Sequence, residues 1–172
     1  GAVEKLLMPS MIEMSASRLR ATYLTVLEVG GAFAHRFEGL LAFLRIPYLV
    51  VTDIDSVAPA GYPRACRADV PKARTSNATL KKLCVQTTIG GLMGMASGDK
   101  IDAAKDRCIA FQTDINVIDG AAQQSLRPRT LEEAIAYENF ALLRAGTLSL
   151  GIDIPAALPD AYQAIYDRIR SD

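Results

Sequence analysis

Asp53 and Asp55 stand one residue apart in Thr52-Asp53-Ile54-Asp55-Ser56, directly after the most strongly apolar run of the chain, Ile46 to Thr52. A strand presents alternate side chains on one face. An extended path through residue 55 therefore aims both carboxylates the same way. Two carboxylates that close repel each other unless a proton or a cation intervenes. Hard oxygen donors suit Mg2+ or Mn2+, which keep several waters and take few protein carboxylates. The blander alternative is that the two aspartates cap a helix or shape a turn, work for which aspartate is well suited.

The elements around this pair follow from periodicity. Residues 3 to 20 predict an amphipathic helix burying Leu6, Leu7, Met11, Met14 and Leu19, with Pro9 either kinking it or lying close enough to its start to be tolerated. Thr22 to Val29 predicts a strand closed by Gly30 and Gly31, and residues 34 to 45 a helix with Phe37, Leu40, Leu41 and Leu44 inward. Ile46 to Thr52 is the next strand. Strand, helix and strand in this order imply a right-handed βαβ unit in a parallel sheet, where ligands bind beyond the carboxyl ends of the strands. Further on, residues 57 to 77 read as a basic, proline-containing loop and Thr79 to Val85 as a short helix. Residues 57 to 106 as a whole read as an insertion into a core formed by 1–56 and 107–172. Cys108 to Phe111 predicts a strand, 115 to 128 a polar loop, and 130 to 145 and 159 to 170 two helices.

Composition narrows the partners. The chain has 172 residues, enough for one domain with a subdomain-sized insertion, and its 19 basic residues equal its 19 acidic ones. No global field attracts a polyanion, so any nucleic-acid contact rests on a local basic patch. Arg64, Arg67, Lys72, Arg74, Lys81 and Lys82 supply one, in a stretch whose only acidic residue is Asp69. A solvated basic loop is the competing reading. Cys66, Cys84 and Cys108 form neither a CxxC pair nor a zinc cluster, which points to reduced thiols in a cytoplasmic protein. No apolar run has membrane-spanning length. The chain opens at Gly1 without a methionine and is expected to be a piece of something larger.

Three further positions carry oxygen ligands with ready structural explanations. Glu4 near the start of the first helix, and Glu132 and Glu133 at the start of a later one, all gain from a helix dipole. Thr130 followed by Glu133 fits a capping box. His35, the single histidine, is expected to cap or pack.

Taken together, several segments resemble a known family. Gly1-Ala2-Val3-Glu4-Lys5, Gly30-Gly31 after a strand, and Thr52-Asp53-Ile54-Asp55-Ser56 look like a Toprim domain. With Thr75-Ser76-Asn77-Ala78-Thr79-Leu80-Lys81 and Arg129-Thr130-Leu131-Glu132-Glu133-Ala134, they look more narrowly like the carboxy-terminal region of nucleases of the OLD (overcoming lysogenization defect) family. The resemblance spans roughly residues 1 to 145. It implies an α/β fold, a Toprim-like parallel sheet flanked by helices, with a mainly helical insertion. It implies a divalent-metal-dependent DNA endonuclease, downstream of an ATPase domain that would be the route to ATP and to any oligomer. Glu4 matches a metal-binding glutamate of an EGxxE segment, and Asp53 and Asp55 match the DxD aspartates. Thr130 and Glu132 match a pair that is usually serine and glutamate. The first glutamate of EGxxE would precede Gly1, and the family's lysine would follow Asp172.

Under that resemblance, Glu4, Asp53, Asp55 and Glu132 anchor two Mg2+ or Mn2+ ions about 4 Å apart, which stabilise the attacking and leaving oxygens of a phosphodiester. A nucleotide-binding or regulatory Toprim-like module without nuclease activity is the alternative, although no GxxxxGK[ST] or GxGxxG pattern occurs. A partner-binding module with a vestigial acidic cluster is a further one.

Overall fold

The computed structural model describes residues 23–29, 31–61 and 63–171. The chain divides into two units, Gly1–Gly30 and Gly31–Asp172. The helix expected over 3–20, and Glu4 with it, lies outside the described residues. In the first unit, residues 23–29 carry no helix or strand. The strand expected over 22–29 is thus a correction for its described part, since an apolar, β-branched run makes a strand only where it is paired in a sheet.

The second unit opens with a 3-10 segment, Gly31–Phe37, which passes into α1, Glu38–Leu44. Arg45 ends α1 in the left-handed region at φ 53°. Then comes β1, Tyr48–Val51, four β-branched, aromatic or leucine residues whose inward member is Val50. The parallel partner of β1 is β5, Arg107–Ala110, in register from Tyr48↔Arg107 to Val51↔Ala110. β4, Ile101–Asp102, adds antiparallel to the other side of β5, giving the order β1-β5-β4. The fold is mixed α/β with a parallel strand pair, as expected.

Between β1 and β5 the chain builds a small annex. β2, Ser56–Val57, pairs antiparallel with β3, Arg74–Thr75. Two short helices follow, α2 over Ala78–Leu83 and α3 over Ile89–Met93. Each begins on a side-chain cap, Asn77 and Thr88 respectively, which satisfies amide groups that an isolated helix start leaves open. Ala73, Leu80, Ile89 and Leu92 from this segment pack into one core with Val50, Ile54, Ile109 and Phe111. Packing thus places 57–106 in the same core as the parallel strands.

A second core lies further along. Residues 115 to 128, expected to be a loop, form a hairpin of β6, Ile115–Asp119, and β7, Ala122–Leu126. This is a correction with a visible cause. The pattern of β6 alternates with Val117 inward, while β7 is largely exposed and polar until Leu126, so its composition hides the strand. Gly120 takes the two-residue turn at φ 61°, a conformation in which a Cβ is costly. The helix expected over 130–145 is two helices, α4 over Leu131–Glu138 and α5 over Phe140–Arg144, broken at Asn139. α6, Leu158–Arg170, closes the core with Leu158, Tyr162 and Ile165 against Tyr137 and Phe140.

Candidate metal centre

Asp53 and Asp55 follow the carboxyl end of β1, but not in extended geometry. β1 ends at Val51, and Asp55 sits in the left-handed region at φ 46°. The two carboxylates therefore do not share a strand face. They are still close enough for the charge of Asp55 to act on Asp53. Ile54 between them is fully buried and pins the loop to the core.

Polar clamps fix the rest of the loop. Gln112, in the segment after β5, accepts from the Ile54 amide through Oε1 at 3.0 Å and donates through Nε2 to Asp53 Oδ1. The amide of Leu131, the first residue of α4, donates to the same oxygen at 3.0 Å. A helix N-terminus favours negative charge in that position. Both bonds fall on Oδ1, and Oδ2 has no hydrogen-bond partner among the described residues. Burial first, and then the charges of Asp55 and Glu132, push the Asp53 carboxyl above the ordinary aspartate range, against the hydrogen bonds of Gln112 and Leu131.

Asp55 has two neighbours of its own. Arg129 NH2 lies 3.7 Å from Oδ1, and Asn77 Nδ2 lies 3.3 Å from Oδ2. Glu132 is exposed in the first turn of α4 and reaches Asp53 through its charge. Thr130 is the cap of α4, its Oγ1 accepting from the Glu133 amide at 3.4 Å. Glu133 is buried, accepts from the Arg129 amide at 2.8 Å and from Tyr137 at 3.4 Å, and burial raises its carboxyl to about 7. His35 packs as expected, Nδ1 standing 3.1 Å from Thr79 Oγ1.

Among the described residues, no group of three His, Cys, Asp or Glu side chains is close enough to hold a metal ion alone. What the site offers is a pair of aspartates, one with a free oxygen, and the negative charge of Glu132. That donor chemistry fits a hard divalent cation, which takes one or two carboxylates and keeps water in its remaining positions.

The basic residues fare unevenly. Arg64, Lys72, Arg74, Lys81 and Lys82 are exposed. Arg67 is committed elsewhere: it grips both oxygens of Asp69 at 3.0 and 2.7 Å, donates to Gln163 at 2.9 Å and stacks 4.4 Å over the Tyr162 ring. Three polar contributors to the loop were not expected from sequence, namely Gln112, Arg129 and the Leu131 amide. A glutamine after a short apolar strand gives little signal. Arg129 and Leu131 sit inside a segment whose neighbours, Thr130 and Glu132, drew attention instead. A concavity of about 320 Å3, lined by residues that include Leu143, Arg144 and Ile152, contains none of Asp53, Asp55 or Glu132.

The mixed α/β unit thus carries an acidic loop at the carboxyl end of a parallel strand, with hard oxygen donors of the type divalent cations take. Residues 1–55 match the family model described as overcoming lysogenization defect protein-like, TOPRIM domain, a match ending on Asp55. A Toprim domain is a nucleic-acid-related module that generally binds divalent metals. No curated protein and no solved structure matches the chain. Among the described residues, no helix is long and apolar enough to cross a membrane.

Proposed function

We propose that the chain is the catalytic region of a divalent-metal-dependent DNA endonuclease of the OLD type, belonging to a larger cytoplasmic ATPase-nuclease. The observation that carries this reading is the Asp53–Asp55 loop, placed at the end of a parallel strand and facing the start of α4 with Glu132, within a region where the Toprim match ends on Asp55. Asp53, Asp55 and Glu132 would hold Mg2+ or Mn2+, and the family resemblance assigns Glu4 the same role. Bound there, such ions would supply a nucleophilic water at neutral pH and stabilise charge on the phosphodiester oxygens.

The protein's own groups do the rest. Leu131 and Gln112 orient Asp53 through Oδ1 and leave Oδ2 for a ligand. Arg129 holds Asp55 and, through Nε, the Ser56 carbonyl at 3.3 Å. The exposed bases of 57–106, Arg74, Lys81 and Lys82 among them, form the DNA-contacting face of a segment inserted between 1–56 and 107–172. Such contact is largely sequence-independent and salt-sensitive.

The test is supercoiled plasmid incubated with Mg2+, Mn2+, Ca2+ or EDTA, beside an Asp53→Ala/Asp55→Ala variant. Metal-dependent nicking or linearisation that the variant lacks is expected. A folded wild-type protein that cuts nothing in any metal would favour the regulatory module instead. Arg74→Glu is expected to weaken DNA binding several-fold at low salt, whereas Arg67→Ala affects stability more than binding, because Arg67 is engaged within the fold. Equal DNA binding by Arg74→Glu and wild type at low salt would remove this face from the interface.

A further inference from the structure

The most densely bonded side chain beside the acidic loop is one that no carboxylate chemistry requires. Asn77 is 1% exposed, and every polar atom of its side chain is used. Its Oδ1 accepts from the amides of Thr79 at 2.9 Å and Leu80 at 3.2 Å, the cap of α2. Its Nδ2 faces the other way, donating to Thr52 Oγ1 and to the Asp53 carbonyl, each at 2.8 Å, with Asp55 Oδ2 at 3.3 Å. The partners fix the orientation of the amide, since a flipped group would set its NH2 against two amide donors and its oxygen against a carbonyl and a carboxylate oxygen that can only accept. The preceding residue adds to the same bond set. Ser76 donates to the Asp55 carbonyl twice, from its amide at 2.9 Å and its hydroxyl at 3.0 Å. These bonds hold Asp55 in the left-handed region, which aspartate enters more readily than most residues other than glycine.

We infer that Asn77 is a positioning residue for the metal centre, its one amide joining the start of α2 to the backbone and carboxylate of the Asp53–Asp55 loop. The cap alone would not need asparagine, because serine caps a helix about equally well. What serine cannot do is span from the cap to Thr52, Asp53 and Asp55. The inference rests on the metal-binding reading of those aspartates, but the geometry of the loop is open to measurement without any metal.

Asn77→Ser separates the two roles of the residue. Hydrogen exchange in EDTA reads the loop directly. The Ser76 amide, bonded to Asp55, is expected to exchange about tenfold faster in the variant, the size of effect that loss of one such hydrogen bond produces. The Cys84 amide, bonded within α2 to Leu80 at 2.9 Å, should keep its wild-type rate. Titration with Mn2+ by calorimetry then reads the carboxylates, and affinity about tenfold weaker than wild type is expected. Unchanged Ser76 exchange, or equal loss of protection at Ser76 and Cys84, overturns the positioning role, as does Mn2+ affinity equal to that of a wild type that binds the ion. A wild type that binds no Mn2+ instead overturns the metal reading, and the exchange comparison still decides whether Asn77 holds the loop. Should Asn77→Ser not fold, Thr52→Val removes one acceptor of the same amide at nearly constant shape. It is expected to speed Ser76 exchange in the same direction, and no change there overturns the proposal.

Discussion

The loop at Asp53 and Asp55 has a single fully buried apolar anchor, Ile54, and is otherwise held by the polar groups of Asn77, Gln112, Ser76, Arg129 and Leu131. The C-terminal core is held in the opposite way. Tyr137 and Tyr162 meet edge to face with ring centroids 5.3 Å apart, and Ile165, Leu126 and Ala161 are fully buried around them. α4 belongs to both regions, with its body in the apolar core and its first amide on Asp53. The contrast teaches a division of labour. Non-directional burial gives the second core its stability, whereas directional bonds give the loop a particular shape.

The sharpest way to break the comparison is Ile165→Ala. A cavity in the apolar core is expected to cost roughly 2–5 kcal/mol, seen as a lower denaturation midpoint in urea, and to weaken the loop only through α4. A cost under about 0.5 kcal/mol, the size of an ordinary surface substitution, would mean that the second core is not packed as described.

Glu133 sharpens the boundary between the regions, because it is a carboxyl inside the apolar one. Burial raises it from 4.5 to about 7 in the folded chain. Between those values the folded state binds the extra proton, so stability is full below about pH 4.5 and falls as pH rises towards 7. The shift corresponds to about 3 kcal/mol at most. Glu133→Gln keeps an acceptor for the Arg129 amide and removes the titration. Urea denaturation at pH 5 and pH 8 should show the wild type losing stability and the variant holding it; parallel losses in both would place the titrating group elsewhere.

The smallest expected effect belongs to the polar region. Gln112→Ala strips the buried Ile54 amide of its acceptor, at a cost of about 1–3 kcal/mol. The lower end is expected, since Gln112 is half-buried and water can reach the gap. Faster exchange of the Ile54 amide would accompany it, and an unchanged rate would show that the clamp is dispensable.

The same division explains what could be read from the sequence. Ile46 to Thr52 announces its strand because a short run rich in apolar, β-branched and aromatic residues suits a pleated surface, and α6 announces itself by an apolar stripe with Tyr162 and Ile165 four and seven residues after Leu158. The DxD aspartates are conspicuous for the same reason, as charges abutting an apolar run. β7 escaped notice because its Ala-Gln-Gln-Ser stretch faces solvent and the pairing with β6 is made by backbone atoms. Gln112 and the Leu131 amide escaped notice because they meet Asp53 across 59 and 78 residues of chain, a distance over which no local pattern operates. Asn77 was half legible. A cap is a local feature, and its grip on Thr52 and Asp53 is not.

The order β1-β5-β4 has a consequence for how the sheet can grow. β4 runs antiparallel on one margin and is two residues long, so it offers little for another strand to build on. Among the described residues β1 forms the other margin, and Leu49 and Val51 on it are about half exposed. Growth of this sheet is therefore one-sided, and a strand joining at β1 would change the standing of the acidic loop. What is now the rim of a three-stranded sheet would become the middle of a wider one, with walls on both sides of Asp53.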